Sequence, residues 1–193
     1  MSPDIGLYQT KHAVRGWLDH IPGVERLQPN HVSLASLAPS GLAAVSLWFG
    51  WWPLVVIGIA GRMALTVMDG LLAEAYDKRS RIGPYLNRLP QEIGDIALFL
   101  ALIPWADIRW VALLLGAAWL VNVLAVLPGI AGGSPQPAGP AGQPDRIAIV
   151  LVAAAIHILV AFDWTWVCVL IVALSVPTVA LRIMRTVREL GPA

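Results

Sequence analysis

Six runs of about 20 mostly apolar residues stand out along the chain, at approximately 32–52, 54–75, 83–104, 110–128, 146–162 and 164–184. Each is long enough for a helix to cross a hydrocarbon core roughly 30 Å thick. The last two are separated only by Phe162, Asp163 and Trp164, which predicts a helical hairpin. Before the first run, LYQTKHAVRGWLDHI sets Leu7, Val14, Trp17, Leu18 and Ile21 near helical spacing among charges. That pattern suits an amphipathic helix lying in the headgroup plane; the alternative is a disordered tail. The stretch GIAGGSPQPAGPAGQPD, 129–145, is too rich in Gly and Pro to continue a helix and predicts a flexible cytoplasmic loop.

The expected fold is therefore all-α: one membrane domain over 1–193, a bundle of six transmembrane helices preceded by a cytoplasmic or interfacial segment, 1–31. Composition agrees, with 58% hydrophobic residues, 13% charged and a mean hydropathy of +0.71. Soluble domains carry roughly 25% charge. The N-terminal segment has no compact apolar core of a cleavable signal, so the first span is expected to direct insertion. Lys11, Arg15, Arg26, Lys78, Arg79, Arg81, Arg146, Arg182, Arg185 and Arg188 fall on one side, and Arg109 on the other. By the positive-inside rule both termini are cytoplasmic. Trp48, Trp51, Trp52, Trp105, Trp110, Trp164 and Trp166 gather at the predicted outer ends, where an aromatic belt sits.

A formal net charge of +1 leaves no basic stripe for nucleic acid. The single cysteine, Cys168, permits no intramolecular disulfide and reads as a packing residue. No internal repeat or pair of broken helices suggests a transporter.

Charge is concentrated instead in MDGLLAEAYDKRSRIGPYLNRLPQEIGD, 68–95, which holds nine charged residues between two apolar runs. Arg62, Thr66, Asp69 and Ala73 share one face of the second span, and Gly83, Asn87, Gln91 and Asp95 recur every four residues on the third. Charges inside a span cost roughly 2.5–3.5 kcal/mol when central, so these two stripes predict a cavity open to the cytoplasm. An Arg62 to Asp69 ion pair that merely neutralises itself is the bland alternative. Pro90 is expected to kink the third span and so to alter which of Gln91, Glu92 and Asp95 face inward. Glu92 could also form an ordinary surface pair with Arg88.

The spacing Asp69-Gly70-x-x-Ala73, eight residues beyond position 74, then Gly83 resembles the signature DxxDGxxAR(x8)GxxxDxxxD of the CDP-alcohol phosphatidyltransferases. LQPNHVSL at the start of span one is similar to that family's Pro-Asn-x-x-(Ser/Thr)-Leu entry, and the six-span layout is also the family's. RMAL before the signature and Gly83-x-x-Leu86-Asn87 after it look like a divergent bacterial branch. The chain departs from the signature at Thr66, Glu74, Asn87 and Gln91, which stand for Asp, Arg, Asp and Asp.

The resemblance implies a homodimeric inner-membrane enzyme of phospholipid biosynthesis. Such an enzyme moves a phosphatidyl or similar group from a CDP-linked lipid donor to an alcohol and releases CMP. It implies a divalent cation, magnesium or else manganese, held by Asp69 with Thr66 and Asn87, and a donor site involving Gly70, Ala73, Glu74 and Gly83. Asp95, Glu92 and Gln91 are the candidates for the catalytic role of the last aspartate, although Gln91 cannot itself act as a general base. Arg146 is expected either to meet the acceptor's phosphate or to anchor lipid headgroups. The alternative to an enzyme is a catalytically impaired relative that binds lipid or nucleotide as a scaffold. His157 and Asn122, inside spans, are each expected to make one interhelical hydrogen bond.

Overall fold

The computed structural model describes residues 24–78 and 80–191, so the amphipathic stretch expected over 7–21 lies outside the described residues. A 3-10 turn, Val24–Arg26, precedes seven α-helices: α1 (Pro29–Ala35), α2 (Leu37–Trp48), α3 (Trp52–Ala75), α4 (Gly83–Leu100), α5 (Ile108–Val126), α6 (Gln143–Leu159) and α7 (Thr165–Leu190). No strand occurs among the described residues. Three stretches, Trp52–Ala75, Ile108–Ala131 and Thr165–Leu190, are long and apolar enough to cross a membrane. The other expected spans correspond to α1 with α2, to α4 and to α6, which are shorter, broken or more polar.

The first expected span is two helices because Pro39 lacks the N–H that would bond the Ala35 carbonyl and crowds that turn. Two serines reinforce the break by bonding locally: Ser36 Oγ donates to the Ser33 carbonyl (2.6 Å) and Ser40 Oγ to the Ser36 carbonyl (2.7 Å). The break leaves α1 packed against the C-terminal part of α3 and the start of α4. Glycine sets how closely α4 approaches: a Cβ at Gly94 would come within 2.8 Å of Ser40 Oγ and 3.2 Å of Arg62 Cζ.

Leu47, Val55, Ile59, Phe99, Leu102, Leu114, Val150 and Ile171 fill the core between the helices. In lipid such contacts gain little from leaving the hydrocarbon, so close packing and interhelical polar bonds carry the association. At the predicted outer end, Trp52 stacks on Trp164 (5.3 Å between centroids) and meets Trp105 edge-on (4.9 Å). Trp164 is fully buried, and its Nε1 donates to His157 Nδ1 (3.1 Å). Trp48, Trp51 and Trp166 remain exposed around this cluster. Cys168 is buried within α7.

The Gly/Pro-rich segment expected to be flexible is tied to its surroundings. Arg182 donates to the carbonyls of Pro137 (2.8 Å), Ala138 (3.0 Å) and Val121. Ser134 and Gln136 donate to Glu189 at 2.7 and 2.8 Å, and the Ala141 amide donates to Thr178 Oγ1 (2.9 Å). Gly139 makes the close turn possible: its φ is +131°, and a Cβ there would lie 2.4 Å from Thr178 Cγ2.

Candidate functional site

The two polar stripes do face each other, one helix antiparallel to the next, and their register decides which residues pair. Asp69 on α3 stands opposite Asn87 on α4, while Arg62, almost two turns earlier, stands opposite Asp95, two turns later. The bland Arg62 to Asp69 pair is thus replaced by a buried Arg62 to Asp95 pair.

Asp69 is 3% exposed and forms part of the wall of a cavity of about 390 Å³ between α1, α3 and the start of α4. Its Oδ2 accepts from Ser33 Oγ and from Asn87 Nδ2, each at 2.6 Å. Gln91 Nε2 in turn donates to Asn87 Oδ1 (2.7 Å), which orients the Asn87 amide toward Asp69. Asp69 Oδ1 is the one buried carboxylate oxygen without a hydrogen-bond partner among the described residues. Gly70, Ala73 and Gly83 also line this cavity, and a Cβ at Gly70 would meet no protein atom within 4 Å. Lys78 Nζ closes the rim by donating to the carbonyls of Leu27 (2.9 Å) and Glu25. Glu74, one position further round α3, is exposed and does not line the cavity.

Deeper along α4 the chemistry is cationic. Asp95, 3% exposed, accepts from Arg62 at one oxygen and from Gln143 Nε2 (3.2 Å) and Arg146 (3.4 Å) at the other. Arg62 also donates to the Gln91 carbonyl (2.9 Å). Arg146 is fully buried and donates to the Ala141 carbonyl (2.8 Å) and Asn122 Oδ1 (2.9 Å). Thr66 and Gln91 line a separate void of about 50 Å³ with Arg62 and Gln143. Glu92 pairs with Arg88 (3.1 Å), accepts from Asn122 Nδ2 (2.7 Å), and lies in a wider groove of about 800 Å³ between α4 and α5.

The eleven residues singled out by sequence are thereby distributed, not gathered. Asp69, Gly70, Ala73, Gly83 and Asn87 share the main cavity; Thr66 and Gln91 line the Arg62 void; Asp95 and Arg146 are locked together; Glu92 and Glu74 lie elsewhere. A two-cation site does not fit these residues. Asn87 Oδ1 is taken by Gln91, Asp95 is held by two guanidiniums, and no group of three metal-ligating side chains occurs among the described residues. Sequence reasoning missed Ser33, which the Pro-Asn-x-x-Ser-Leu stretch had displayed, and Gln143. Arg182 had been counted only as a loop charge.

No family model matches the chain. Inner membrane protein YnbA of Escherichia coli (strain K12) is 35% identical over 126 residues, 62% of this chain. The chain spans 63% of the length of that curated relative. Among solved structures, Mycobacterium tuberculosis phosphatidylinositol phosphate synthase with CDP-DAG bound superposes with a TM-score of 0.73 at 19% identity, covering 95% of this chain and 96% of that one. The same synthase in complex with manganese and citrate gives 0.74 at 19% identity, over 94% and 90% of the two chains. These likenesses show a shared fold.

Proposed function

We propose that the chain is a six-span inner-membrane member of the CDP-alcohol phosphatidyltransferase family, with both termini cytoplasmic, acting as a homodimer in phospholipid biosynthesis. Its substrate is a CDP-linked lipid such as CDP-diacylglycerol, seated at the Asp69 cavity. The acceptor's hydroxyl oxygen attacks the lipid-bearing phosphorus, the bond from that phosphorus to CMP breaks, and the hydroxyl proton passes to a carboxylate. Asp69 is the acid assigned to this site, because it lines the cavity and its buried Oδ1 has no hydrogen-bond partner among the described residues. Gly70, where a side chain would meet only open space, leaves room for the donor beside it. Asn87 and Ser33 hold Asp69 in place, and Asp95 fixes the packing of α4 against α3 and α6.

The observation that carries the reading is Asp69, with one unpartnered carboxylate oxygen, lining a cavity framed by Gly70, Ala73 and Gly83 at the family's spacing. Its support from the comparisons is the synthase fold, which in the Mycobacterium tuberculosis protein binds CDP-DAG. The test is CMP release from CDP-diacylglycerol by the purified protein across a panel of alcohols, alongside CDP binding. Release that is lost in Asp69→Asn supports the reading. Absence of both release and CDP binding overturns it.

A second reading, a donor-binding scaffold without transfer, is favoured by one observation: Asp95 is neutralised by arginines and Gln91 cannot take a proton. Tight CDP-diacylglycerol binding without CMP release from any alcohol would establish it over the first.

A further inference from the structure

The four acids of the resembled signature fall at positions 66, 69, 87 and 91, and only Asp69 keeps its charge here. The amides that stand at 87 and 91 are joined to it. Gln91 Nε2 donates to Asn87 Oδ1 (2.7 Å), one turn away on α4, and Asn87 Nδ2 donates to Asp69 Oδ2 (2.6 Å). Ser33 Oγ donates to the same oxygen from α1, also at 2.6 Å. An ionised carboxylate can only accept, so Asp69 fixes the Asn87 amide with its nitrogen inward and leaves the Asn87 oxygen to Gln91. Donors and acceptors along this chain match in one order only.

A divalent cation demands the opposite arrangement, because it is bound by oxygen and not by N–H. To offer its oxygen beside Asp69, Asn87 would have to turn its amide over, which breaks both of its hydrogen bonds and sets its nitrogen against Gln91 Nε2. Charge balance points the same way. Four carboxylates in one cavity repel each other unless cations lie among them. Among the described residues that line this cavity, Asp69 and Lys78 are the only charged side chains, so the wall is neutral as it stands.

We infer that the Asp69 cavity works without a divalent cation: hydrogen-bond donors from Ser33 and Asn87 satisfy Asp69 Oδ2 in place of a metal, and Gln91 is a positioning residue that holds the Asn87 amide in its donor orientation. The amides at 87 and 91 act as one device. An acid restored at 91 alone would face Asn87 Oδ1, acceptor against acceptor, and drive the amide to turn over. That the cavity holds a CDP-linked donor rests on the reading above, whereas its indifference to cations does not.

The experiment is thermal unfolding and manganese EPR of the full chain in a maltoside detergent, in EDTA and in millimolar manganese, for the wild type and for Asn87→Asp combined with Gln91→Asp. The wild type is expected to unfold at one temperature in both and to leave the manganese signal at its free amplitude. The paired variant sets a carboxylate against Asp69 where an N–H had been, so its midpoint is expected to fall in EDTA and recover with manganese, which it should bind at least about tenfold more tightly than the wild type. Manganese bound by the wild type and released in Asp69→Asn overturns the inference, as does a folded paired variant that gains no manganese binding. If that variant does not fold, the wild-type result decides. For Gln91, the readout is the Asn87 side-chain amide resonance in proton–nitrogen NMR spectra, assigned by its loss in Asn87→Asp. It is expected to shift in Gln91→Leu as it does in Asp69→Asn, and an unmoved resonance overturns the positioning role. CDP binding that requires a cation overturns the inference and leaves the donor reading standing; CDP that binds in neither condition removes the donor reading alone.

Discussion

Asp95→Asn removes the carboxylate bonded to both buried guanidiniums, Arg62 and Arg146, while keeping the side chain's size and one acceptor oxygen. Breaking a buried pair by deleting one partner costs about 3–5 kcal/mol, because the surviving charge stays in a low dielectric. Here two positive charges survive, with side chains 4% and 0% exposed, and the remaining amide oxygen can still accept one of their hydrogen bonds. The expected loss is thus within that range and not beyond it. For a domain of this size each kcal/mol moves the midpoint by about 2–4 °C, so unfolding in phosphate-free detergent should fall by roughly 6–20 °C. Glu92→Gln is the internal control, since the Arg88 to Glu92 pair is 37% and 29% exposed and such pairs contribute about 0–1 kcal/mol. Arg62→Met added to Asp95→Asn should recover part of the loss, because it removes one of the stranded charges. If Asp95→Asn unfolds at the wild-type temperature yet abolishes CMP release, the ion-pair argument is wrong and Asp95 is a proton acceptor after all.

Ser33→Ala withdraws one of the two donors to Asp69 Oδ2 and should destabilise by about 1–3 kcal/mol, read from the same midpoint; a neutral result would mean that Asp69 is oriented by Asn87 alone. Gly70→Ala and Gly139→Ala should separate a ligand's space from the protein's own. The first meets no protein atom, lies inside a helix where Ala is about 0.5–1 kcal/mol better than Gly, and should lower CDP affinity with no loss of stability, whereas the second drives a Cβ into Thr178 and should cost at least about 1–3 kcal/mol. Arg182→Met should leave the carbonyls of Pro137 and Ala138 unbonded and open the 132–142 segment to proteinase K, with cleavage rates compared by mass spectrometry.

Apolar runs located the helices well because span length is imposed by the membrane and leaves a coarse mark on composition. The expected second and fourth spans end within a few residues of α3 and α5. Breaks and partners were less legible. Pro39 carries the signal for the division at Ser36, but the apolar run 32–52 reads through it as one span. Asp69 could be placed on an inward face from its spacing with Ala73, yet its bond to Ser33 depends on how α1 crosses α3, which no local pattern encodes. For Arg62 the sequence offered a partner only on its own helix, Asp69, as an alternative; the register between antiparallel helices places Asp95 opposite it instead. The 129–145 segment misled for a related reason: Gly and Pro report that a chain cannot be helical, not that it is loose, and its order comes from Arg182 and Glu189 some fifty residues later.

That long-range tether orders events during synthesis. The segment before α6 acquires its hydrogen bonds to Thr178, Arg182 and Glu189 only when α7, the last helix, has been made and inserted. Gln143 follows that segment directly and lines the Arg62 void, so the void cannot take its final shape on a nascent chain that still lacks α7. A ribosome-bound intermediate carrying the earlier helices would hold the Asp69 face without the floor beneath it. Completion of the final helix is the step that turns an inserted bundle into a binding-competent one.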